Sequence, residues 1–193
     1  MNITVLSGSP RKTSNTLRVA KAIKRISLAN GADNVEIIDF NEQDIPFINQ
    51  GDVDINNLTD FQSRLVNSMN KAHIVYVLTP EYNWFPSAEL VNMVHQMGND
   101  DFKSIFDNKV FAFAGISSGR GGRMPAVQLS YVFSKLFNVF SFESVAVSRA
   151  FESQFTPKVL DGEGNSLGTL EYDNGLEKFV TYSESIAKRW FRQ

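Results

Sequence analysis

Apolar and polar positions along the chain follow two alternating patterns. Short apolar, β-branched runs at Ile3–Leu6, Val35–Phe40, His73–Thr79 and Val110–Ile116 predict strands, with Phe142–Val147 as a fifth. The third run is apolar almost throughout, as in a parallel strand covered on both faces. Between these runs apolar residues recur at helical spacing. One helix is predicted from about Ser14 to Ala29, stopped by Asn30-Gly31. A second carries Leu58, Phe61, Leu65, Met69 and Ala72 on one face. Others span 86–97 and 124–137, and Leu176–Phe191 closes the chain with Phe179, Val180, Ala187, Trp190 and Phe191 inward. The polar stretch 41–57, with Pro46 and Gly51, reads as a long loop. Asp161–Ser166 reads as an exposed, turn-rich excursion of variable conformation.

Strands alternating with helices predict a doubly wound α/β sandwich with a five-stranded parallel sheet and helices on both faces. Residues 1–193 read as one domain, with neither repeats nor linkers. In such a sheet, ligands sit beyond the carboxyl ends of the strands, where strand order reverses. The loops after strands one, three and four are therefore the ones to inspect.

The first of these is the most informative. Strand one stops at Ser7-Gly8-Ser9-Pro10, and a helix follows with Thr13 or Ser14 as N-cap. A helix start offers unpaired N–H groups and the positive end of the helix dipole. Ser9, Thr13, Ser14 and Thr16 add hydroxyls, and Arg11 adds a fixed charge. This reads either as a phosphate cradle, of no familiar pattern, or as an ordinary capped helix after a first strand. The Gly-Lys of a Walker A loop is missing after Gly8, and so are the partner glycines of a dinucleotide fingerprint. With no cysteine, a Cys-x5-Arg phosphatase loop is excluded. A hydroxyl-rich loop of this kind suits a terminal phosphomonoester.

The loop after strand three, Thr79-Pro-Glu-Tyr-Asn-Trp-Phe-Pro86, is stiffened by two prolines and presents three aromatic side chains. The loop after strand four, Ser117-Ser-Gly-Arg-Gly-Gly122, permits close backbone approach to a planar ligand. Together the three loops suit a phosphorylated, flat heteroaromatic molecule, and FMN fits.

In order, Gly8-Ser-Pro-Arg-Lys-Thr-Ser-Asn15, Thr79-Pro-Glu-Tyr-Asn83 and Ser117-Ser-Gly-Arg-Gly-Gly122 resemble the phosphate, flavin and Ser/Gly loops of the NAD(P)H-dependent FMN reductase family. That family has a flavodoxin-like fold and includes quinone, azo-dye and chromate reductases. The resemblance covers roughly residues 1–150. It implies that Ser9, Arg11, Ser14, Asn15 and Thr16 contact the FMN phosphate. Pro80, Glu81, Tyr82 and Asn83 would run along the isoalloxazine, and Ser117, Gly119 and Gly122 would approach its pyrimidine side. Reduced flavin gains negative charge on that half, so fixed N–H dipoles there tune its potential. No protein base is needed for hydride transfer to N5, which makes Glu81 a poor candidate for one. The family commonly has a small residue where this chain has Trp84. The indole either covers the flavin or a substrate ring, or packs on the third helix. Arg120 and Arg123 either attract a nicotinamide nucleotide phosphate or are solvated loop arginines.

Composition narrows the function classes. A net charge of −2 gives no electrostatic case for nucleic acid, and Lys21, Lys24 and Arg25 read as a solvated helix face. Two histidines, 73 and 95, make a His-based metal site improbable; both read as structural or surface groups. No apolar run suits a membrane helix, and a cytoplasmic, soluble protein is expected. Sixteen Phe suit a core, a planar ligand or an oligomer interface. Extra apolar positions at Leu90–Met97 and Val127–Phe137 add to a case for a homodimer or higher homo-oligomer, as the resemblance also implies.

The expected activity is hydride transfer from NADPH or NADH, through bound FMN, to a small-molecule acceptor: a quinone, an azo compound, free flavin or a metal oxyanion. Alternatives are a flavodoxin-like electron carrier, against which the weak acidity argues, and a non-enzymatic FMN-binding module.

Overall fold

The computed structural model describes residues 1–191. Its elements run β1 (Asn2–Ser7), α1 (Asn15–Ala29), β2 (Asn34–Asp39), α2 (Asp60–Lys71), β3 (Ile74–Pro80), α3 (Ala88–Met97), α4 (Lys103–Phe106), β4 (Val110–Ile116), α5 (Arg123–Phe140), β5 (Val145–Ala146), β6 (Phe151–Ser153), α6 (Thr156–Val159) and α7 (Leu170–Trp190). All strand pairs are parallel, in the order β2-β1-β3-β4-β5, with β6 also on β4.

Side-chain alternation along the central strands builds the layers. Ile74, Tyr76 and Leu78 of β3 pack toward α1 and α7, whereas Val75 and Val77 pack toward α2, α3 and α5. On β4 the split is also one of size. Ala112 and Ala114 face the first side, letting α7 approach, and Phe111 and Phe113 fill the second. There Phe133 of α5 meets Phe106, Phe111, Phe113 and Phe137 with ring centroids 5.2–6.2 Å apart. Much of the phenylalanine content is thus core.

Three sequence expectations need correction. The fifth strand is not a continuous 142–147 run. Phe142 leaves the sheet to stack on Phe140. β5 pairs only with Val110 and Phe111, and β6 returns to pair with Ala114–Ile116, so two short strands share one sheet position. Exposed Ser148, Arg149 and Ala150 bulge out between them. The closing helix starts at Leu170, earlier than its apolar stripe suggests, because the Tyr172 hydroxyl is anchored on Ser153 Oγ at 2.8 Å. Finally, the 161–166 excursion is pinned. Arg18 donates to Leu160 O at 2.9 Å, and Lys21 bonds Gly162 O and Glu163. Arg25 donates to Asn165 Oδ1 and Gly164 O. Gly164, at φ +74, lies where any Cβ would meet Arg18 O at 2.4 Å. The expected solvated basic face of α1 is therefore partly a seam. Asn165's side-chain amide, at 3.0 Å, and the backbone amides of Asn165 and Glu163, both at 2.8 Å, hold the Asp161 carboxyl below its usual range.

For function, the key consequence is topological. β1 lies between β2 and β3, so strand order reverses at β1 and the loops after β1, β3 and β4 converge beyond the sheet.

Candidate functional site

The cradle is assembled by the end of β1 and the start of α1. Gly8 donates to Leu78 O at 2.9 Å, locking the loop to β3. Glycine is required because a Cβ there would lie 2.7 Å from the Leu78 backbone carbonyl. Ser14 is the N-cap, its Oγ accepting from Leu17 N at 3.1 Å. Ser14 Oγ and Thr16 Oγ1 are 2.7 Å apart, and Ser7 Oγ donates to Thr16 at 3.2 Å. Ser9, Ser14 and Thr16 are buried, yet the amides of Asn15 and Thr16 donate to no acceptor among the described residues. Asp39, at the end of β2 behind Ser7, has its carboxyl raised by burial, partly offset by bonds from the Asn41 amide and Ser7.

Tyr82 ties the cradle to the loop after β3. Its hydroxyl is 3.2 Å from Ser9 Oγ, and the Arg11 guanidinium lies over its ring, 5.0 Å from the centroid. Tyr82 and Phe85 exchange both backbone bonds at 3.0 Å, a minimal antiparallel pair. The two residues between them, Asn83 and Trp84, have φ of +49° and +71°. Positive φ at both positions marks a tight type I′ turn, which favours glycine second. Trp84 is 72% exposed at the tip, rather than packed on α3, and Phe85 is 63% exposed.

Two backbones touch in the loop after β4: a Cβ on Gly115 would lie 1.7 Å from Gly122 O. Gly121 and Gly122 have φ of +145° and +105°. The Glu81 carboxylate accepts from Gly122 N, which gives this acid a structural task. Arg123 pairs with Glu152 at 2.5 Å, whereas Arg120 is exposed.

Ser9, Arg11, Ser14, Asn15, Thr16, Pro80, Glu81 and Tyr82 line one cleft of about 90 Å³, together with Ile116 and Ser118. All eight were singled out by sequence reasoning, which did not assign Ile116 or Ser118 a place; only Ser118's position in the serine–glycine loop hinted at it. Asn83 and Trp84 stand at the turn tip outside that lining, and so do Ser117, Gly119 and Gly122. His73 is at the opposite end of the sheet, its Nδ1 accepting from Asn2 N at 3.1 Å, and His95 is exposed on α3. The cleft offers hydroxyls, free amides and one guanidinium, while its one carboxylate is engaged by Gly122. Such a donor set binds an anion.

Comparison with known proteins agrees with this chemistry. The model of the family described as NADPH-dependent FMN reductase matches residues 1–152. No curated protein sequence matches the chain. Among solved structures, FerB, a flavoenzyme NAD(P)H:(acceptor) oxidoreductase from Paracoccus denitrificans, superposes with a TM-score of 0.67 at 15% identity, over 95% of this chain and 97% of that one. The apo NADH:FMN oxidoreductase EmoB gives 0.60 at 18% identity, over 94% and 89%. A flavodoxin from the domain Archaea gives 0.57 at 12% identity, over the full length of both. At these identities the neighbours establish the flavodoxin-like fold. With the matched region spanning all three loops of the cleft, the chain belongs to the NADPH-dependent FMN reductase family.

Proposed function

We propose that the protein transfers hydride from NADPH or NADH, through FMN held at this cleft, to a small acceptor: a quinone, an azo compound, free flavin or a metal oxyanion. The observation that carries this reading is the donor-rich cradle at the sheet's switch point, its one carboxylate engaged by Gly122, backed by family membership. Its volume, about 90 Å³, suits a phosphate, not a three-ring plane. The ring would lie outside the cradle, between the loops after β3 and β4. FMN bound there supplies a two-electron carrier that accepts hydride at N5 from a nicotinamide and passes electrons to an acceptor.

The chain's residues then divide the work. Arg11, the Ser9, Ser14 and Thr16 hydroxyls and the Asn15 and Thr16 amides hold the phosphate. Pro80, Glu81, Tyr82 and Asn83 flank the ring, and Glu81 keeps the glycine loop in register through Gly122. Ser117, Gly119 and Gly122 approach the pyrimidine side. Trp84 stands at the open rim, where the nicotinamide and the acceptor enter in turn. Residues 1–193 form one FMN-binding domain working in the cytoplasm, and none of the described helices is long and apolar enough to cross a membrane.

A homodimer is part of this reading. Val91 of α3 and Val127, Tyr131 and Val139 of α5 are exposed, and an apolar groove of about 270 Å³ runs between the two helices.

The test is to add FMN to the purified protein, pass it through gel filtration and record the visible spectrum. The protein should elute yellow. It should then turn over NADPH with a quinone or azo acceptor, giving the parallel double-reciprocal lines of a two-stage exchange. Colourless protein after filtration would sink the FMN reading, and yellow protein that never oxidises a nicotinamide would leave a binding module.

A further inference from the structure

The serine–glycine loop is braced from behind by residues of the chain's last quarter, and the brace decides which way its peptides face. Ser117 N donates to Ser153 O at 2.9 Å. Ser117 O accepts from Thr156 N at 3.1 Å and from Thr156 Oγ1 at 2.9 Å. Gly119 O accepts from Phe155 N at 2.8 Å. Phe155 reaches that position only in a left-handed conformation, φ +48. Behind the brace stands a file of hydroxyls. Tyr172 OH is 2.8 Å from Ser153 Oγ, which is 2.8 Å from Thr156 Oγ1. A consistent donor order runs Tyr172 to Ser153 to Thr156, whose proton lies between the Ser117 carbonyl at 2.9 Å and the Ser153 carbonyl at 3.0 Å. Ser153 and Thr156 are fully buried, so water does not compete for these bonds.

In a planar trans peptide the N–H points opposite the C=O. Drawing the Ser117 and Gly119 carbonyls back toward Thr156 and Phe155 therefore turns the N–H groups of Ser118 and Arg120 the other way. Neither N–H has an acceptor among the described residues, and Ser118 lines the cleft. The loop thus presents donors where, unbraced, it would be free to present carbonyls.

We propose that Thr156, with Phe155 and the Ser153–Tyr172 pair behind it, is the positioning device that aims the Ser118 and Arg120 amides at the ligand. It thereby sets how tightly the flavin is held and how readily it accepts electrons. The inference rests on the FMN reading above. The region matched by the family model ends at residue 152, one residue short of the brace. Its residues can therefore tune the loop without any change in the loop's own sequence.

The experiment compares Thr156→Val, which keeps shape but loses the hydroxyl, with Thr156→Ser, which restores it, and with Tyr172→Phe. FMN affinity is read by fluorescence titration of apoprotein, and the midpoint potential of bound FMN by anaerobic redox titration. Thr156→Val should bind FMN about three- to tenfold more weakly, the scale of one lost hydrogen bond, and shift the potential to more negative values. Thr156→Ser should stay within about twofold of wild type, and Tyr172→Phe should fall between. A folded Thr156→Val with wild-type affinity and potential overturns the proposal. Should that variant not fold, Tyr172→Phe decides by the same two readings. Amide exchange of segment 117–122 in apoprotein separates this proposal from the FMN reading. If wild type binds no FMN, the FMN reading falls, while faster exchange in Thr156→Val supports the brace and unchanged exchange refutes it.

Discussion

Replacing Trp84 with glycine and, separately, with alanine isolates the backbone contribution of the turn that carries it. Both variants lose the indole and its contacts, so the difference between them reports mainly the conformation of residue 84. That residue has φ +71, following Asn83 at +49, inside a pair of 3.0 Å bonds between Tyr82 and Phe85. For an L residue the left-handed region costs roughly 1–2 kcal/mol, which glycine escapes. Glycine gives back roughly 0.5–1 kcal/mol through its larger unfolded-state freedom. Trp84→Gly should therefore be the more stable variant by about 1 kcal/mol. For a chain of this length that is a melting temperature about 2–4 °C higher. Urea unfolding of both variants, with slopes compared, supplies the measurement. Equal stability, or alanine above glycine, would refute the type I′ assignment. The same pair serves the functional reading. If the exposed indole screens the flavin, both variants should change the rate of NADPH oxidation equally, whatever their stabilities.

Other expectations are shorter to state. Arg11→Ala should weaken FMN binding about 10- to 100-fold, as expected for charge-assisted bonds to phosphate. Exposed Arg11's stacking on half-buried Tyr82 contributes about 1 kcal/mol or less, so unfolding should barely change. Gly115→Ala pushes a Cβ into the Gly122 carbonyl, 1.7 Å away, and should cost roughly 1–3 kcal/mol in urea unfolding while lowering FMN affinity. Lys109 is buried, its Nζ at 3.4–3.5 Å from the Ala72 and Asn70 carbonyls, and burial pulls its pKa down to about 8. Because the folded value lies below the unfolded one, the charged form destabilises the fold fully below pH 8. That penalty is relieved as pH rises from about 8 toward 10.5. Wild type should therefore gain roughly 2–3 kcal/mol on Lys109→Met between pH 7 and 10, and parallel stability–pH curves for the two proteins would contradict this.

The fold was legible because its signals are local. Ile74–Pro80 and Val110–Ile116 are apolar on both faces, which marks central parallel strands, and α1, α2 and α3 start on side-chain acceptors, Ser14, Thr59 and Ser87. The cradle was legible for the same reason: its hydroxyls and Arg11 lie within nine positions of the end of β1. What escaped depends on contacts far apart in sequence. β6 is three residues long, has no apolar run, and exists because Ala114–Ile116 offers it an edge. Thr156 looks like an ordinary residue before Pro157 until the fold sets it against Ser117. Lys21 and Arg25 read as part of a solvated face because their partners lie about 140 residues away. Trp84 was visible as a departure from the family pattern, but the left-handed φ that makes it strained belongs to the turn, not to the residue.

The central claim is that this cleft holds FMN for reaction with a nicotinamide. It is tested most directly by mixing the FMN-loaded protein anaerobically with NADPH, and separately with NADH, while following absorbance near the flavin's visible band. At least one donor should bleach the band with saturation kinetics, and a quinone or azo acceptor should restore it. A flavin that stays oxidised with both donors, while free FMN reduced chemically bleaches normally, would contradict it.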